Sequence, residues 1–163
     1  MSERWVVNAS PIIVLAKVAH QHLLLQLPDQ FVIPEAVIAE IHDGPEDDPA
    51  RLFLYDHTLP VVAVPPQPAI SAWDLGAGET AVLSYAQENP GWRVVIDDNM
   101  ARRCARSFSI PIIGTLGIVL RARRAGLIEA AVPLLRSLVA YGFRIDEDVI
   151  RPALKDIVGE SWD

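Results

Sequence analysis

The sequence predicts an α/β fold in which a short parallel sheet is covered by helices on both faces. Short apolar segments rich in β-branched residues alternate with longer segments of helical spacing. Strands separated by helices favour parallel pairing, because a parallel connection needs a crossover of a dozen or more residues. The 163 residues suit a single domain, and the chain contains no internal repeat and no linker long enough to separate two domains.

Five segments are predicted as strands because each is short, apolar and bounded by turn-forming residues. In chain order they are residues 5–8, 31–33, 61–64, 93–96 and 111–113. Polar side chains follow two of these strands, since the first ends in Asn8 and the fourth leads into Asp97 and Asp98.

Helices are predicted between the strands from the spacing of apolar residues and from the residues that start or stop a helix. In chain order they are residues 10–27, 34–42, 50–57, 79–87, 99–108, 116–125, 130–141 and 146–158. Ser10 is the predicted N-cap of the first helix and Pro11 its first residue, where a missing N–H costs nothing. Gly126 and Gly142 end two of the later helices.

Composition excludes several classes of protein. The single cysteine, Cys104, excludes an intramolecular disulfide framework and a cysteine-based zinc finger. The N-terminus lacks the basic and apolar regions of a signal peptide, and no apolar run reaches the roughly 18 residues of a membrane span. We therefore expect a cytoplasmic protein that does not enter a membrane.

The net charge of −7 argues, taken as a whole, against a generic nucleic-acid-binding domain. The charge is unevenly distributed, however. Residues 29–56 hold eight acidic residues and one arginine, whereas residues 99–126 hold six arginines and no acid. Arginine binds phosphate through a planar fork, so the basic stretch is a candidate RNA-binding surface. Its predicted contacts are Arg102, Arg103, Arg106, Arg121 and Arg124. The alternative is that two helices simply present basic faces to solvent.

Acidic and amide side chains are predicted to meet at one edge of the sheet. Asn8 and the pair Asp97 and Asp98 follow strands, and ligands in open α/β sheets gather beyond the carboxyl ends of the strands. Glu40 and Glu79 lie on helices among apolar neighbours. Together these side chains would form an all-oxygen site of the kind that Mg²⁺ or Mn²⁺ takes. Such a site suits metal-assisted phosphodiester hydrolysis, in which an activated water replaces a Ser, Cys or His nucleophile.

Each acid also has an ordinary interpretation when it is considered alone. The Asp97 and Asp98 pair could be a turn and an N-cap, and Glu79 a first-turn acid that complements the helix dipole. Glu40 could lie on a solvated edge. The joint order of the motifs therefore supports the site more strongly than any single residue does.

That joint order resembles the PIN-domain superfamily, and most closely a bacterial and archaeal PIN-like family of toxin-type proteins. The resemblance covers essentially the whole chain. Five motifs appear in the expected order, at residues 6–13, 33–40, 74–79, 95–102 and 113–117. The segments Gly76-Ala77-Gly78-Glu79 and Ile113-Gly114-Thr115-Leu116-Gly117 are the most specific of them.

The resemblance implies a three-layer α/β/α sandwich over residues 1–163, with C-terminal helices from about residue 129 packing on it. It implies a Mg²⁺- or Mn²⁺-dependent ribonuclease that cuts single-stranded RNA. Many relatives are toxins of toxin–antitoxin pairs and form homodimers, so an antitoxin protein is an expected partner. The matching catalytic acids are Glu40, Glu79, Asp97 and Asp98, and the same four with Asn8 are the implied metal ligands. Ser10 and Thr115 match the supporting hydroxyl residues.

Asn8 departs from the family pattern, in which the first ligand is usually Asp. The amide keeps one oxygen but lacks a negative charge, so metal affinity and turnover should fall. A PIN-like module that binds RNA or a protein without cutting is therefore the alternative function, and a small-molecule phosphohydrolase is a third. The net charge does not exclude RNA, because four of the acids belong to the implied cation site.

Overall fold

The structure, a computed structural model, describes residues 2–163. Five parallel strands form one sheet in the order β3-β2-β1-β4-β5. The strands are β1 (Arg4–Val7), β2 (Gln30–Pro34), β3 (Val61–Val62), β4 (Trp92–Val95) and β5 (Ile112–Ile113). The α/β class with a short parallel sheet, predicted from the alternating pattern, is confirmed.

Helices flank the sheet, and most of them connect successive strands. The helices are α1 (Ala9–Lys17), α2 (Leu23–Gln26), α3 (Glu35–Asp43), α4 (Pro49–Asp56), α5 (Pro68–Ser71), α6 (Ala77–Glu88), α7 (Asn99–Ser107), α8 (Thr115–Arg124), α9 (Ala131–Ala140) and α10 (Glu147–Ala153), followed by a π-helical turn at Leu154–Val158.

The centre of the sheet is apolar because β1 and β4 are covered on both faces. Val6 pairs with Val94 and Val7 with Val95, and all four side chains are buried. Continuous apolar strands of this kind are typical of a parallel sheet between helical layers. The two strands therefore end side by side, which brings the residues that follow them to one edge.

Four local predictions are corrected by the structure. Asn8, and not Ser10, is the N-cap residue of α1, which places Ser10 inside the first helical turn. Proline is tolerated throughout a first turn, because none of those N–H groups has an intrahelical partner, and so Pro11 could not fix the start. The strand predicted at 61–64 stops after two residues. The helix predicted over 10–27 is divided, because α1 ends at Lys17 and α2 covers only Leu23–Gln26. A short helix, α5, forms next to the predicted proline loop.

The C-terminal helices add to the core. Leu134, Leu135 and Leu138 of α9 are buried, whereas Val139 is 43% exposed. The last predicted helix is divided into α10 and the π-helical turn. Pro152 lies inside this segment and lacks the N–H that a continuous α-helix needs.

No helix within residues 2–163 is long and apolar enough to cross a membrane.

Candidate metal centre

The candidate site lies at the carboxyl edge of the sheet, where β1, β4 and β5 end. Asn8 follows β1 directly, and its backbone N–H donates to the carbonyl of Val95 at the end of β4 (3.1 Å). The neighbouring Ile96 N–H donates to the carbonyl of Ile113 at the end of β5 (3.0 Å). Short parallel strands in register thus bring Asn8, Asp97 and Thr115 to one edge of the molecule.

Asn8 presents an unpaired oxygen to this edge. Its side chain is buried, and within residues 2–163 its Oδ1 accepts no hydrogen bond. A buried polar atom without a partner costs about 1–3 kcal/mol, so the fold keeps this carbonyl oxygen available at some expense in stability. It is the atom that an incoming donor or cation would satisfy.

Gly78 leaves the space in which Asn8 and Glu40 come together. A Cβ atom at Gly78 would lie 3.0 Å from Oδ1 of Asn8 and 3.1 Å from Oε2 of Glu40. Gly78 is the second residue of α6, and Glu40 comes from α3, which packs against α6. The glycine therefore allows the backbone of α6 to approach the side-chain oxygens of Asn8 and Glu40. The sequence predicts a helix only from Glu79 and so places Gly78 in the preceding loop, whereas in the structure α6 begins at Ala77.

Glu40 and Glu79 face a common cleft. The cleft has a volume of about 170 Å³ and is lined by Asn8, Ala9, Ser10, Ile13, Glu40 and Glu79. The pKa of Glu40 is raised above its ordinary value, first by partial desolvation and then by the negative charge of Glu79. Two carboxylates that repel each other beside an unpaired amide oxygen form a cradle for a positive charge.

Asp97 is held at the same edge by Thr115. Its Oδ1 accepts the backbone N–H of Thr115 (2.8 Å), and its Oδ2 accepts the Thr115 hydroxyl (2.5 Å). Thr115 is fully buried, so this pair fixes the direction of the carboxylate. A carboxylate has about four acceptor positions, which leaves Asp97 free to accept from a further group.

Asp98 is the N-cap residue of α7. Its Oδ2 accepts the backbone N–H of Ala101 (2.9 Å) and so caps α7. The two adjacent aspartates are therefore distinguished by their contacts: Asp97 is fixed by the next strand–helix junction, and Asp98 by its own helix.

The predicted RNA-binding arginines divide into two groups. Arg102, Arg103 and Arg106 lie on α7, which begins at the site, and they are half-buried or exposed. Arg121 instead pairs with Glu3 (2.5 Å), which precedes β1 and so lies at the opposite end of the sheet from Asn8. Arg124 comes still later in α8, about 14 Å along the helix axis from Thr115 at 1.5 Å per residue.

The donor set around the cleft fits a hard divalent cation. Asn8, Glu40 and Glu79 offer only oxygen atoms, the ligands that Mg²⁺ and Mn²⁺ prefer. Within residues 2–163, no three His, Cys, Asp or Glu side chains are gathered into a ready-made metal cluster. Of the cleft's three oxygen-bearing candidate ligands, Asn8 is an amide, while Asp97 binds Thr115 and Asp98 caps α7.

A family model described as a PIN domain matches residues 4–159 of the chain. Among solved structures, the chain is similar to a PilT N-terminus domain protein from the hyperthermophilic archaeon Sulfolobus solfataricus P2, with 19% sequence identity and a TM-score of 0.50. The similarity covers 71% of this chain and 89% of that protein. No curated protein matches the chain. At this identity the structural similarity supports the fold alone, whereas the family model spans nearly the whole chain.

Proposed function

Because the chain belongs to the PIN-domain family, we propose that it is a divalent-metal-dependent ribonuclease and the toxin of a toxin–antitoxin pair. PIN domains are typically nucleases and generally use divalent metal ions. The observation that supports the proposal best is the unpaired, buried Oδ1 of Asn8 beside Glu40, in a cleft that also contains Glu79.

In this proposal Asn8, Glu40 and Glu79 hold Mg²⁺ or Mn²⁺, and Asp97 faces the same edge. A bound divalent cation supplies a water activated for attack and neutralises charge on the phosphodiester. Asp97 keeps one direction because Thr115 binds both of its oxygens. Ser10 is exposed on the wall of the cleft, where it can donate a hydrogen bond to the substrate or to a ligand.

Single-stranded RNA is the proposed substrate. Arg102 of α7 lies beside Asp97 at Gly114, and Arg103 and Arg106 are exposed on the same helix, so a polyanion bound along α7 would reach the carboxyl edge of the sheet. The toxin role, the antitoxin partner and a homodimer rest on the resemblance of the five motifs. An adjacent reading frame for a small protein that forms a complex with this chain and relieves its toxicity would support that role.

A catalytically inactive module that binds RNA or a protein is the second candidate. The observation in its favour is the neutral amide of Asn8, which leaves the cleft with two carboxylates, Glu40 and Glu79. Such a site binds a cation less strongly than one with three carboxylates, because each added negative charge strengthens the attraction.

Cleavage of single-stranded RNA by purified protein, with and without Mn²⁺, tests the two candidates. The ribonuclease proposal expects cleavage that needs Mn²⁺ and falls about 100-fold or more in Asp97→Asn. Asp98→Asn is the matched comparison, because Asn caps a helix as well as Asp does and α7 is preserved. Absence of cleavage by the wild type, with cleavage gained in Asn8→Asp, would instead establish the inactive module.

A further inference from the structure

Arg102 occupies an unusual position among the arginines of this chain. Its side chain comes from α7 but turns back over the end of β4, where Nη1 donates a long hydrogen bond to the carbonyl of Ile96 (3.4 Å). No carboxylate of residues 2–163 lies within ion-pair distance of its guanidinium. A typical N–H···O bond is about 2.9–3.0 Å long, so this contact is weak and most of the five N–H donors remain free.

Gly114 provides the room for this placement. A Cβ atom at Gly114 would lie 2.5 Å from Nη1 of Arg102 and 3.0 Å from Oδ1 of Asp97. The guanidinium and the carboxylate therefore lie against the same buried glycine at the carboxyl edge of the sheet. Asp97 forms no ion pair with the arginine, and each of its oxygens accepts one hydrogen bond from Thr115.

Other arginines of the basic stretch are used for structure. Arg121 pairs with Glu3 (2.5 Å), and Arg123 pairs with Glu160 (3.3 Å). Arg103 contacts only the sulfur of Met100 through its guanidinium and is exposed. Arg102 is thus the arginine that the fold holds beside Asp97 while leaving its donors without an anionic partner.

Building on the proposed function, we infer that Arg102 binds the phosphodiester that is cut and stabilises the negative charge that develops on it. The planar guanidinium matches two oxygens of one phosphate. Arg103 and Arg106 bind neighbouring phosphates of the strand, which adds affinity but does not act on the reacting group.

The test compares Arg102→Ala and Arg102→Lys with the wild type in two assays. Binding of a fluorescent single-stranded RNA in EDTA should weaken about tenfold in Arg102→Ala, and the slope of log K against log salt should become less negative by about 0.7. In the Mn²⁺-dependent cleavage assay, kcat should fall about 100-fold in Arg102→Ala and less in Arg102→Lys, which keeps the charge but not the fork.

Arg144→Ala is the control, because Arg144 is an exposed arginine in the loop between α9 and α10, away from the site. It should leave both assays unchanged. Arg103→Ala should raise KM with little effect on kcat, as expected for a contact made equally in the ground and transition states. Thermal unfolding checks that each variant is folded.

The two proposals fail in different ways. If the wild type cuts RNA and Arg102→Ala behaves like Arg144→Ala in both assays, Arg102 is structural and the inference is overturned, while the ribonuclease function stands. If Arg102→Ala changes KM and kcat as Arg103→Ala does, the contact is with a neighbouring phosphate and the inference is again wrong. A wild type that neither binds nor cuts RNA would overturn both proposals.

Discussion

Asn8 sets how strongly the cleft attracts a cation, because it is the donor that carries no charge. Its backbone is fixed by the register between β1 and β4, and its side chain is buried, so its oxygen has little freedom to turn away. A cation gains a preorganised oxygen at this position, but less electrostatic attraction than an aspartate would give.

Glu40 is expected to lower the stability of the cation-free protein. Its pKa is raised in the folded state, so ionisation of Glu40 opposes folding. The protein is therefore more stable while Glu40 is protonated, and this stability is lost as the pH rises through the raised pKa. In EDTA at neutral pH, Glu40→Gln should therefore raise the free energy of unfolding, by less than about 1 kcal/mol because the group is partly solvated. Urea denaturation measures this. A loss of stability in Glu40→Gln would contradict the assignment.

Gly78→Ala should weaken cation binding without unfolding the protein. The added Cβ would press on the oxygens of both Asn8 and Glu40, which must then shift by a few tenths of an ångström. Alanine is favoured over glycine inside a helix by up to about 1 kcal/mol, which offsets the crowding. We expect a lower Mn²⁺ affinity with a change in Tm of only a few degrees. Unchanged affinity would show that the glycine does not shape the cleft.

The residues of the site differ in how well the sequence predicts them. Asn8 and Asp97 follow strands, so their position at one edge is predictable from strand order alone. The division of work between Asp97 and Asp98 is not predictable in this way, because it depends on Thr115, which is 18 residues away along the chain. The close approaches at Gly78 and Gly114 likewise depend on how α6 and α7 pack, which no local pattern reveals.

At the scale of elements, helix α9 has its N-terminus capped from a distance. Its N-cap residue, Ala130, has no side chain that can accept a hydrogen bond. Glu160 replaces it, with its carboxylate accepting the N–H groups of Ala131 (2.9 Å) and Val132 (3.1 Å). Arg123 of α8 pairs with the same carboxylate. The C-terminal tail thereby ties α8 to α9.

Glu160→Gln should lower the free energy of unfolding by about 1 kcal/mol at neutral pH, the usual worth of a helix cap. Burial alone would raise the pKa of Glu160, but the two backbone N–H groups and Arg123 outweigh it and lower the pKa. The stabilisation is therefore present above the ordinary pKa of a glutamate and is lost as the pH falls through the lowered value.

Urea denaturation at pH 7 and at pH 3 measures this effect, and the difference between wild type and variant should shrink at the lower pH. Glu147→Gln is the control, since Glu147 contacts Arg151 and Trp162 at the exposed surface and should matter less. An equal decrease in the free energy of unfolding in both variants would show that Glu160 does not stabilise the protein as the cap of α9.

The ends of helices are predictable from the sequence only where one residue type strongly favours a single position, as glycine does just after the end of a helix. Gly142 has a φ of +92° and follows α9, as its place in the sequence suggested. The predicted N-cap at Ser10 was wrong because a proline such as Pro11 fits any position of a first turn. The helix starts after Asn8, where β1 has ended. The π-helical turn after Pro152 has no local signal beyond the proline itself.

At the scale of the whole molecule, the basic stretch is less available to RNA than its composition suggests. Arg121 and Arg123 are engaged in ion pairs, and Arg124 lies far along α8 from the site. Three arginines of α7 form no ion pair within residues 2–163, namely Arg102, Arg103 and Arg106, and the first of them lies beside Asp97. The net charge of −7 consequently describes neither the cleft nor this surface.

The affinity for single-stranded RNA in EDTA should therefore show the salt dependence expected when three arginines each contact one phosphate. The slope of log K against log salt should be about −2, since each neutralised phosphate of a single strand contributes about −0.7. A slope near −4 would mean that all six arginines of the stretch bind RNA. Arg121→Gln should leave the slope unchanged, because that side chain is paired with Glu3.

The central claim is that the cleft formed by Asn8, Glu40 and Glu79 holds a divalent cation. Equilibrium dialysis of the metal-free protein against Mn²⁺ tests it most directly. We predict saturable binding by the wild type that weakens in Glu40→Gln, strengthens in Asn8→Asp and is unchanged in Arg144→Ala. A wild type that binds no Mn²⁺, or that binds it equally in Glu40→Gln, would contradict the claim.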